Sequence, residues 1–256
     1  MNDSELGRTL AAAAFSRIRA DILGSKLLPG TRLRFEPLKK AYGVGLSPLR
    51  EALSRLVVSG LVTAEGQRGF RVAPASIEDI QDISDVRTNV ECLAFRQSIE
   101  RGDDQWQADV VAAHYRLNLL VERNAIEPVD EEVWEARHRE FHLALLQACG
   151  SRWLLQIVSL LTDQFDRYRR LSVESSLSGK PVSLEHQRIV DAALKRDVEL
   201  AVRLLKDHIA HATRLIIENW HAVVKPKQRG DATHAALNRG TRRASKATNR
   251  SSARGL

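Results

Sequence analysis

Apolar residues recur at helical spacing along most of this chain, and the breaks in that spacing divide it into pieces. Phe15, Ile18 and Ile22 stand at i, i+3 and i+7 and predict one face of a helix over 9–23. Leu28-Pro29-Gly30-Thr31 interrupts the pattern and turns the chain, and a short helix follows over 35–42. Gly43-Val44-Gly45 makes a tight turn. The next helix is expected to open at Ser47-Pro48, with serine as N-cap and proline at the first helical position, where its missing N–H has no partner to lose. Leu49, Ala52, Leu53 and Leu56 form the buried face of that helix, Ser47, Arg50 and Ser54 lie on the other side, and Gly60 closes it. Residues 61–64 and 70–73 read as two short strands around a loop with two glycines, which supply the positive φ of a hairpin. Pro74 ends the unit.

From Ser76 onward the period is helical throughout. Ser76 caps a helix with Glu78 and Asp79 in its first turn, running to about residue 100 and stopped by Gly102. Further helices are expected over 103–123, 130–148 (closed by Gly150), 152–171, 184–195 and 197–220, with a loop at 178–181. The fold class is therefore mainly α: an N-terminal winged helix-turn-helix followed by an all-α, six-helix antiparallel bundle able to enclose a pocket. The expected organisation is a flexible segment at 1–8, a DNA-binding domain at 9–74, a sensor domain at 76–222 and a basic, disordered tail at 223–256, rich in Arg, Ser, Thr, Ala and Gly.

Charge sharpens that division. Residues 1–75 carry 12 Lys+Arg against 6 Asp+Glu, residues 76–220 carry 18 against 25, and residues 221–256 carry 9 against 1. A basic head, an acidic body and a basic tail point to one domain that meets a polyanion and another that does not. Cys92 and Cys149 sit in apolar-periodic segments without metal-ligand or disulfide spacing, and read as free thiols of a reducing compartment. The first residues lack a basic stretch leading into an apolar one, and no apolar run approaches the roughly 20 residues that span a bilayer. The expected location is cytoplasmic, with no membrane partner.

In a helix-turn-helix the second helix enters the major groove and its first turns meet bases and phosphates. That assigns Ser47, Arg50 and Ser54 to direct contact, Arg32 and Arg34 to flanking phosphates with Lys39 and Lys40 as further candidates, and Arg68 with Gly69 to the wing tip near the minor groove. For Arg50 the competing reading is a solvated helix arginine. The stretches that carry these residues are Pro29-Gly30-Thr31-Arg32-Leu33, YGVGLSPLREALSRL at 42–56, GLV at 60–62 and RGFRV at 68–72. They resemble the GntR family of bacterial regulators. The usual recognition helix there reads Gly-Val-Ser-Arg-Thr-Pro-Val-Arg-Glu-Ala-Leu, so this chain departs with Gly45 for Ser, Leu46 for Arg and Ser47 for Thr. The departure resembles a carbon-starvation-induced branch of the family, and the missing arginine at Leu46 implies a different operator preference.

Four of the eight histidines form a suggestive set. His138 and His142 are i, i+4 on one helix face, and His186 and His208 lie on two later helices. Imidazoles from three helices of a bundle can hold a divalent metal, or each can be a surface or singly hydrogen-bonded histidine. Glutamate does not follow the first histidine of His138-Arg139-Glu140-Phe141-His142, so this is not the HExxH of zinc proteases. The helical half is similar to the FCD domain of FadR-like members. That resemblance implies metal ligation through Asp-x-x-x-His plus two later histidines, here His142, His186 and His208, with His138 at the aspartate position. Nitrogen-only ligation favours zinc or nickel. The resemblance further implies a small carboxylic acid bound beside the metal, a dicarboxylate such as glutarate, with Arg87 as its partner; the competing role for Arg87 is an i, i+4 pair with Glu91. His114 and Arg167-Tyr168-Arg169-Arg170 are further candidates for the pocket lining. The cluster reads equally as a solvated face and stays unassigned, and His211, His221 and His234 read as surface residues.

The expected function is a homodimeric transcription regulator, a repressor, binding double-stranded operator DNA under control of an organic acid. Two rivals belong to other classes: a metal-dependent enzyme, disfavoured by the absence of a general base, a nucleophile motif, a P-loop or a dinucleotide fingerprint, and a nonspecific architectural DNA protein driven by the basic tail.

Overall fold

The computed structural model describes residues 3–66, 69–124, 129–172 and 180–224. The chain divides into two compact units, one reaching to Pro74 and the other spanning Ala75–Ala222. The first holds α1 (Asp3–Leu23), β1 (Arg32–Leu33), α2 (Phe35–Tyr42), α3 (Leu46–Val58), β2 (Val62–Ala64) and β3 (Phe70–Val72). The second holds α4 (Ile77–Arg101), α5 (Asp104–Asn124), α6 (Glu131–Leu146), α7 (Arg152–Ser172), α8 (Lys180–Leu194) and α9 (Val198–Val224), with a 3₁₀ turn, Gln147–Cys149, after α6.

In the first unit α1 packs on α3. Ala11, Ala14, Ile18 and Ile22 are its buried positions. The alanines let the two helices approach closely, so Phe15 is pushed to the edge, half-buried, where the Arg55 guanidinium lies 4.4 Å from its ring centroid. Leu49, Leu53, Leu56 and Leu61 complete the core. Each fully buried side chain of this size contributes about 1.5–3 kcal/mol, which is how an eight-residue helix such as α2, marginal by itself, is held. Helix α1 begins at Asp3, six residues before Thr9, since Gly7 weakens a helix without ending it. Helix α2 ends at Gly43, in the left-handed region at φ 67°, donating its N–H to the Lys39 carbonyl.

Helix α3 opens differently from the sequence expectation. Gly45, not Ser47, is the N-cap, and Pro48 is the third helical residue. The first intrahelical bond runs from the Leu49 N–H to the Gly45 carbonyl at 3.2 Å, so Pro48 is still the last position at which a missing N–H loses nothing. The wing is a three-stranded antiparallel sheet in the order β1-β3-β2, with Arg32 opposite Arg71 and Val62 opposite Val72. Sequence reasoning missed β1 because two residues are too short to show alternation.

In the second unit the Ser76 hydroxyl caps α4 by accepting the Asp79 N–H at 3.1 Å. Phe95, Phe141, Leu145, Ile189, Ala193 and Leu205 lie at the centre of the core. Helix α8 starts at Lys180, inside the segment expected to be a loop, with Pro181 in its first turn, where proline is tolerated; residues 178 and 179 lie outside the described residues. His186 therefore sits in the second turn of α8. Cys149 is buried and Cys92 half-buried, both as free thiols. Among the described residues no helix is long and apolar enough to cross a membrane.

Gly102 closes α4 for a reason other than a left-handed turn. Its φ is −61°, and a Cβ there would stand 2.3 Å from the Trp106 ring and 2.6 Å from the Ser98 carbonyl oxygen. Gly102→Ala is expected to destabilise the unit by about 1–3 kcal/mol through overpacking, measured as a lower urea midpoint with an unchanged slope. An unchanged midpoint would show that the Trp106 ring moves aside at no cost.

Candidate DNA-reading face and buried histidine centre

On the first unit, Ser47, Arg50 and Ser54 are all exposed on α3 at i, i+3 and i+7, one face of the helix. Leu46 is 45% exposed at the helix start, so the apolar side chain that replaces an arginine is on the surface rather than in the core. The Arg50 guanidinium lies 5.2 Å from the Phe35 ring centroid, a cation–π contact that restrains it. Arg32, on β1, and Arg34, the N-cap residue of α2, are exposed. Lys39 is paired with Glu36 at 3.0 Å, and Lys40 is exposed. Gly69 is left-handed at φ 97°; Arg68 lies outside the described residues. Arg71 was missed as a structural residue: it binds Glu65 at 2.6 Å and the Gly30 carbonyl at 2.5 Å, tying the wing to the Pro29-Gly30 turn.

In the second unit α6, α8 and α9 bring His138, His142, His186 and His208 together, one ring nitrogen from each lying within 4.8 Å of the others. The Nε2 atoms of His138 and His142 are 3.1 Å apart, and those of His186 and His208 are 3.4 Å apart. Adjacent imidazole nitrogens on one metal ion at about 2.0–2.1 Å stand roughly 3 Å apart, so these spacings fit a shared ion. His142, His186 and His208 are buried and His138 is half-buried. Burial, with smaller contributions from Arg169 and neighbouring histidines, holds the pKa of His138 well below the ordinary imidazole value. Burial does the same for His142, reinforced by His138, and for His186, reinforced by His208. Neutral rings keep the lone pairs that ligation needs. The His142 Nδ1 is buried without a hydrogen-bond partner. His211, expected at the surface, is half-buried and bound to Glu185 at 2.7 Å.

Beside the histidines lies a cavity whose wall includes Arg87 of α4, Arg139 of α6, and Phe165, Asp166 and Arg169 of α7. Arg87 makes the i, i+4 pair with Glu91, Nε to Oε1 at 2.6 Å and Nη2 to Oε2 at 3.4 Å, and also lines the cavity, with its guanidinium 4.4 Å from the Phe165 ring centroid. Arg139 was missed as a cavity residue, and Arg169, open in the sequence between pocket lining and solvated face, lies on the cavity wall. Arg139 binds Asp163 at 2.7 Å, and Arg169 binds Glu135 at 2.7 Å and Asp166 at 2.9 Å. Burial works against ionisation of Asp166, but Arg169 and Arg139 hold its carboxyl below the usual range. Glu135, whose burial outweighs Arg169, is raised. Helical spacing carried the signal. Glu135, His138, Arg139 and His142 stand at i, i+3, i+4 and i+7, as do Thr162, Phe165, Asp166 and Arg169, so residues that are polar in every case but Phe165 occupy the inward stripe of two bundle helices.

The Arg167-Tyr168 pair belongs to a different face of α7. The Tyr168 hydroxyl donates to Asp79 and accepts the Ser76 N–H at 3.0 Å, and Arg167 stands 3.6 Å from Asp79. His114 is buried, 5.5 Å from the Phe141 ring, and burial lowers its pKa.

Comparison with known proteins matches both units. Residues 10–72 fit the family model of bacterial regulatory proteins, gntR family, and residues 82–211 fit the FCD domain. Over 210 residues, 82% of this chain and 86% of the relative, the sequence is 42% identical to the HTH-type transcriptional regulator BphR of Paraburkholderia xenovorans. Over 196 residues, 75% of this chain and 89% of the relative, it is 38% identical to the HTH-type transcriptional repressor GlaR of Escherichia coli. Among solved structures, a GntR transcriptional regulator from Rhodococcus superposes with a TM-score of 0.66 at 25% identity, covering 81% of this chain and 97% of that one. Escherichia coli McbR/YncC superposes at 0.69 and 19% identity, covering 82% and 98%, a likeness of fold.

Proposed function

The chain belongs to the GntR family of bacterial regulatory proteins, with an FCD domain as its helical half, and we propose that it is a cytoplasmic, homodimeric repressor released or recruited by a small organic acid. Its relatives are transcriptional regulators rather than enzymes, and GntR members bind operator DNA while FCD domains bind small-molecule effectors. The observation that carries the finer reading is the juxtaposition of four histidines, three of them buried, with a cavity walled by Arg87, Arg139 and Arg169. His138, His142, His186 and His208 hold the metal, and four nitrogen donors favour zinc or nickel over harder ions. When bound, such an ion supplies a fixed positive charge to which a carboxylate can coordinate. Arg87 offers the acid its Nη1, since Glu91 takes the Nε and Nη2 edge. The acid is a dicarboxylate, with glutarate the first to try, as the resemblance to the carbon-starvation-induced branch implies.

In this reading α7 couples the cavity to the start of α4. Phe165, Asp166 and Arg169 face the cavity, while Tyr168 holds Ser76 and Asp79 at the start of α4, two residues after Pro74 ends the winged unit. A ligand that shifts α7 thereby shifts the exit from the DNA-binding domain, and it acts only through its different affinities for the two states. Support for a homodimer comes from exposed apolar stripes on two helices that pack together, Val86 and Leu93 on α4 and Trp153, Ile157 and Leu160 on α7. In the dimer, Ser47, Arg50 and Ser54 read the major groove of each half-site. Arg32 and Arg34 bind phosphates, and Arg68 and Gly69 contact the DNA near the minor groove. The basic tail at 223–256 adds salt-sensitive affinity.

Gel shifts of the full chain on DNA upstream of its own gene, with zinc and a panel of carboxylic acids, test this. A dicarboxylate is expected to change operator affinity by about 5–150-fold, the usual range of coupling between sites. Arg50→Ala should weaken the specific complex by about 1–3 kcal/mol per half-site and leave nonspecific binding nearly unchanged. The reading fails if no acid at saturation alters either operator affinity or melting temperature.

A further inference from the structure

Glu185 stands immediately before His186 on α8 and accepts from two histidines of α9. Its Oε2 is 2.8 Å from His208 Nδ1, and its Oε1 is 2.7 Å from His211 Nδ1. An ionised carboxylate only accepts hydrogen bonds, so each Nδ1 carries the proton. For a neutral His208 this places the lone pair on Nε2, the atom that faces His186 Nε2 at 3.4 Å. His142 has no such help, because its Nδ1 is buried without a partner. The carboxylate is itself only partly accessible, its side chain 30% exposed, and it is held from both sides, which fixes its angle to the His208 ring.

We propose that Glu185 is a positioning residue for the metal: it sets the tautomer and ring plane of His208, and His211 serves only as the second clamp on its carboxylate. The inference rests on reading the four histidines as metal ligands. A carboxylate behind a ligating histidine both orients the ring and raises its basicity, and removing it costs about 10–100-fold in metal affinity. Gln at this position keeps a carbonyl oxygen for His208 and gives up the charge, whereas Ala gives up both.

The test is zinc affinity of the full chain, measured by competition with a chromophoric chelator at constant pH, beside the urea midpoint of each metal-free protein. Glu185→Ala is expected to weaken zinc about 10–100-fold, Glu185→Gln less, and His211→Ala by no more than about threefold, with cobalt-substituted Glu185→Ala showing an altered visible spectrum. If Glu185→Ala does not fold, Glu185→Gln decides alone: a loss clear of that of His211→Ala supports the proposal and none overturns it. Wild-type-like zinc affinity in Glu185→Ala overturns it and leaves the regulator's metal site standing. Equal losses in Glu185→Ala and His211→Ala also overturn it, since they indicate collapse of the wall rather than orientation of His208. Failure of the wild type to bind zinc, nickel or cobalt removes the metal reading and this inference together.

Discussion

Lowering the pH from 7.5 to 5.5 is expected to strip several kcal/mol of folding stability from the chelated, metal-free protein. Burial first, and neighbouring positive charge second, holds His138, His142 and His186 well below the ordinary imidazole pKa. In the unfolded chain the same rings titrate near 6.5. Below that value the unfolded state takes up protons that the native state refuses, so acid favours unfolding. The stability these groups leave intact is fully present above about pH 6.5 and falls with pH until their native pKa values are reached. Each ring contributes about 1.4 kcal/mol per pH unit in that window, hence roughly 4 kcal/mol per unit for the three acting together. His114, lowered by burial, adds to the same slope. Urea midpoints at pH 7.5, 6.5 and 5.5 measure it, and a midpoint independent of pH would mean that the histidine cluster opens to water. Added zinc should raise stability across the window and extend its lower edge to lower pH, because protons and metal compete for the same lone pairs. The upper edge, set by the unfolded rings, stays at about pH 6.5. A centre of closely spaced neutral imidazoles is thus a liability in acid.

The fold was largely legible because its signals are local and redundant. Ser76 ahead of Glu78 and Asp79 marks a helix start at the level of sequence, and the hydroxyl does cap α4. Leu49, Ala52, Leu53 and Leu56 mark the inner face of α3, and all four are buried. What escaped was non-local or too short. The pairing of Arg32 with Arg71 joins residues far apart in the chain and leaves no periodicity in a two-residue strand. Proline misled twice in the same direction, at Pro48 and Pro181, because the whole first turn of a helix tolerates it and not only its first position. At the candidate site, the histidines stood out by their spacing and by the family resemblance, whereas Arg139 was passed over and Arg169 stayed open between pocket lining and solvated face. Their inward placement follows only when Glu135 and Asp166 are found on the same stripes, since a buried arginine needs a carboxylate within reach. His211 was misjudged for the same reason: Glu185 accounts for it, and nothing in the spacing joins α8 to α9.

Glu135→Ala should be among the most damaging single substitutions in the helical unit. The Glu135 and Arg169 side chains are 7% and 5% exposed, and they meet in a forked pair with one bond of 2.7 Å. Arg169 also binds Asp166 at 2.9 Å, while its Nε is buried without a partner. Removing Glu135 therefore leaves a guanidinium that is already short of one acceptor facing the loss of two more, with its side chain only 5% exposed. Breaking a buried pair from one side costs about 3–5 kcal/mol, against about 1 kcal/mol for a typical substitution. Glu135→Gln keeps an acceptor and should lose less. Replacing both members, as in Glu135→Gln with Arg169→Met, should cost less than the sum of the two single changes by roughly 0.5–3 kcal/mol, because neither member of the pair is then left charged without the other. Asp166 then keeps, among the described residues, only Arg139 at 3.8 Å. Urea melts of wild type, Glu135→Ala, Glu135→Gln, Arg169→Met and the double variant decide it, and a Glu135→Ala midpoint within about 1 kcal/mol of wild type would show that Arg169 finds Asp166 and solvent at little cost. The pair also bears on the proposed effector. Glu135 and Asp166 hold Arg169 against the cavity wall, so a carboxylate entering there competes with two built-in carboxylates. Glu135→Gln, if it folds, should bind a dicarboxylate more tightly than wild type, and such a gain would separate an arginine reserved for structure from one shared with the ligand.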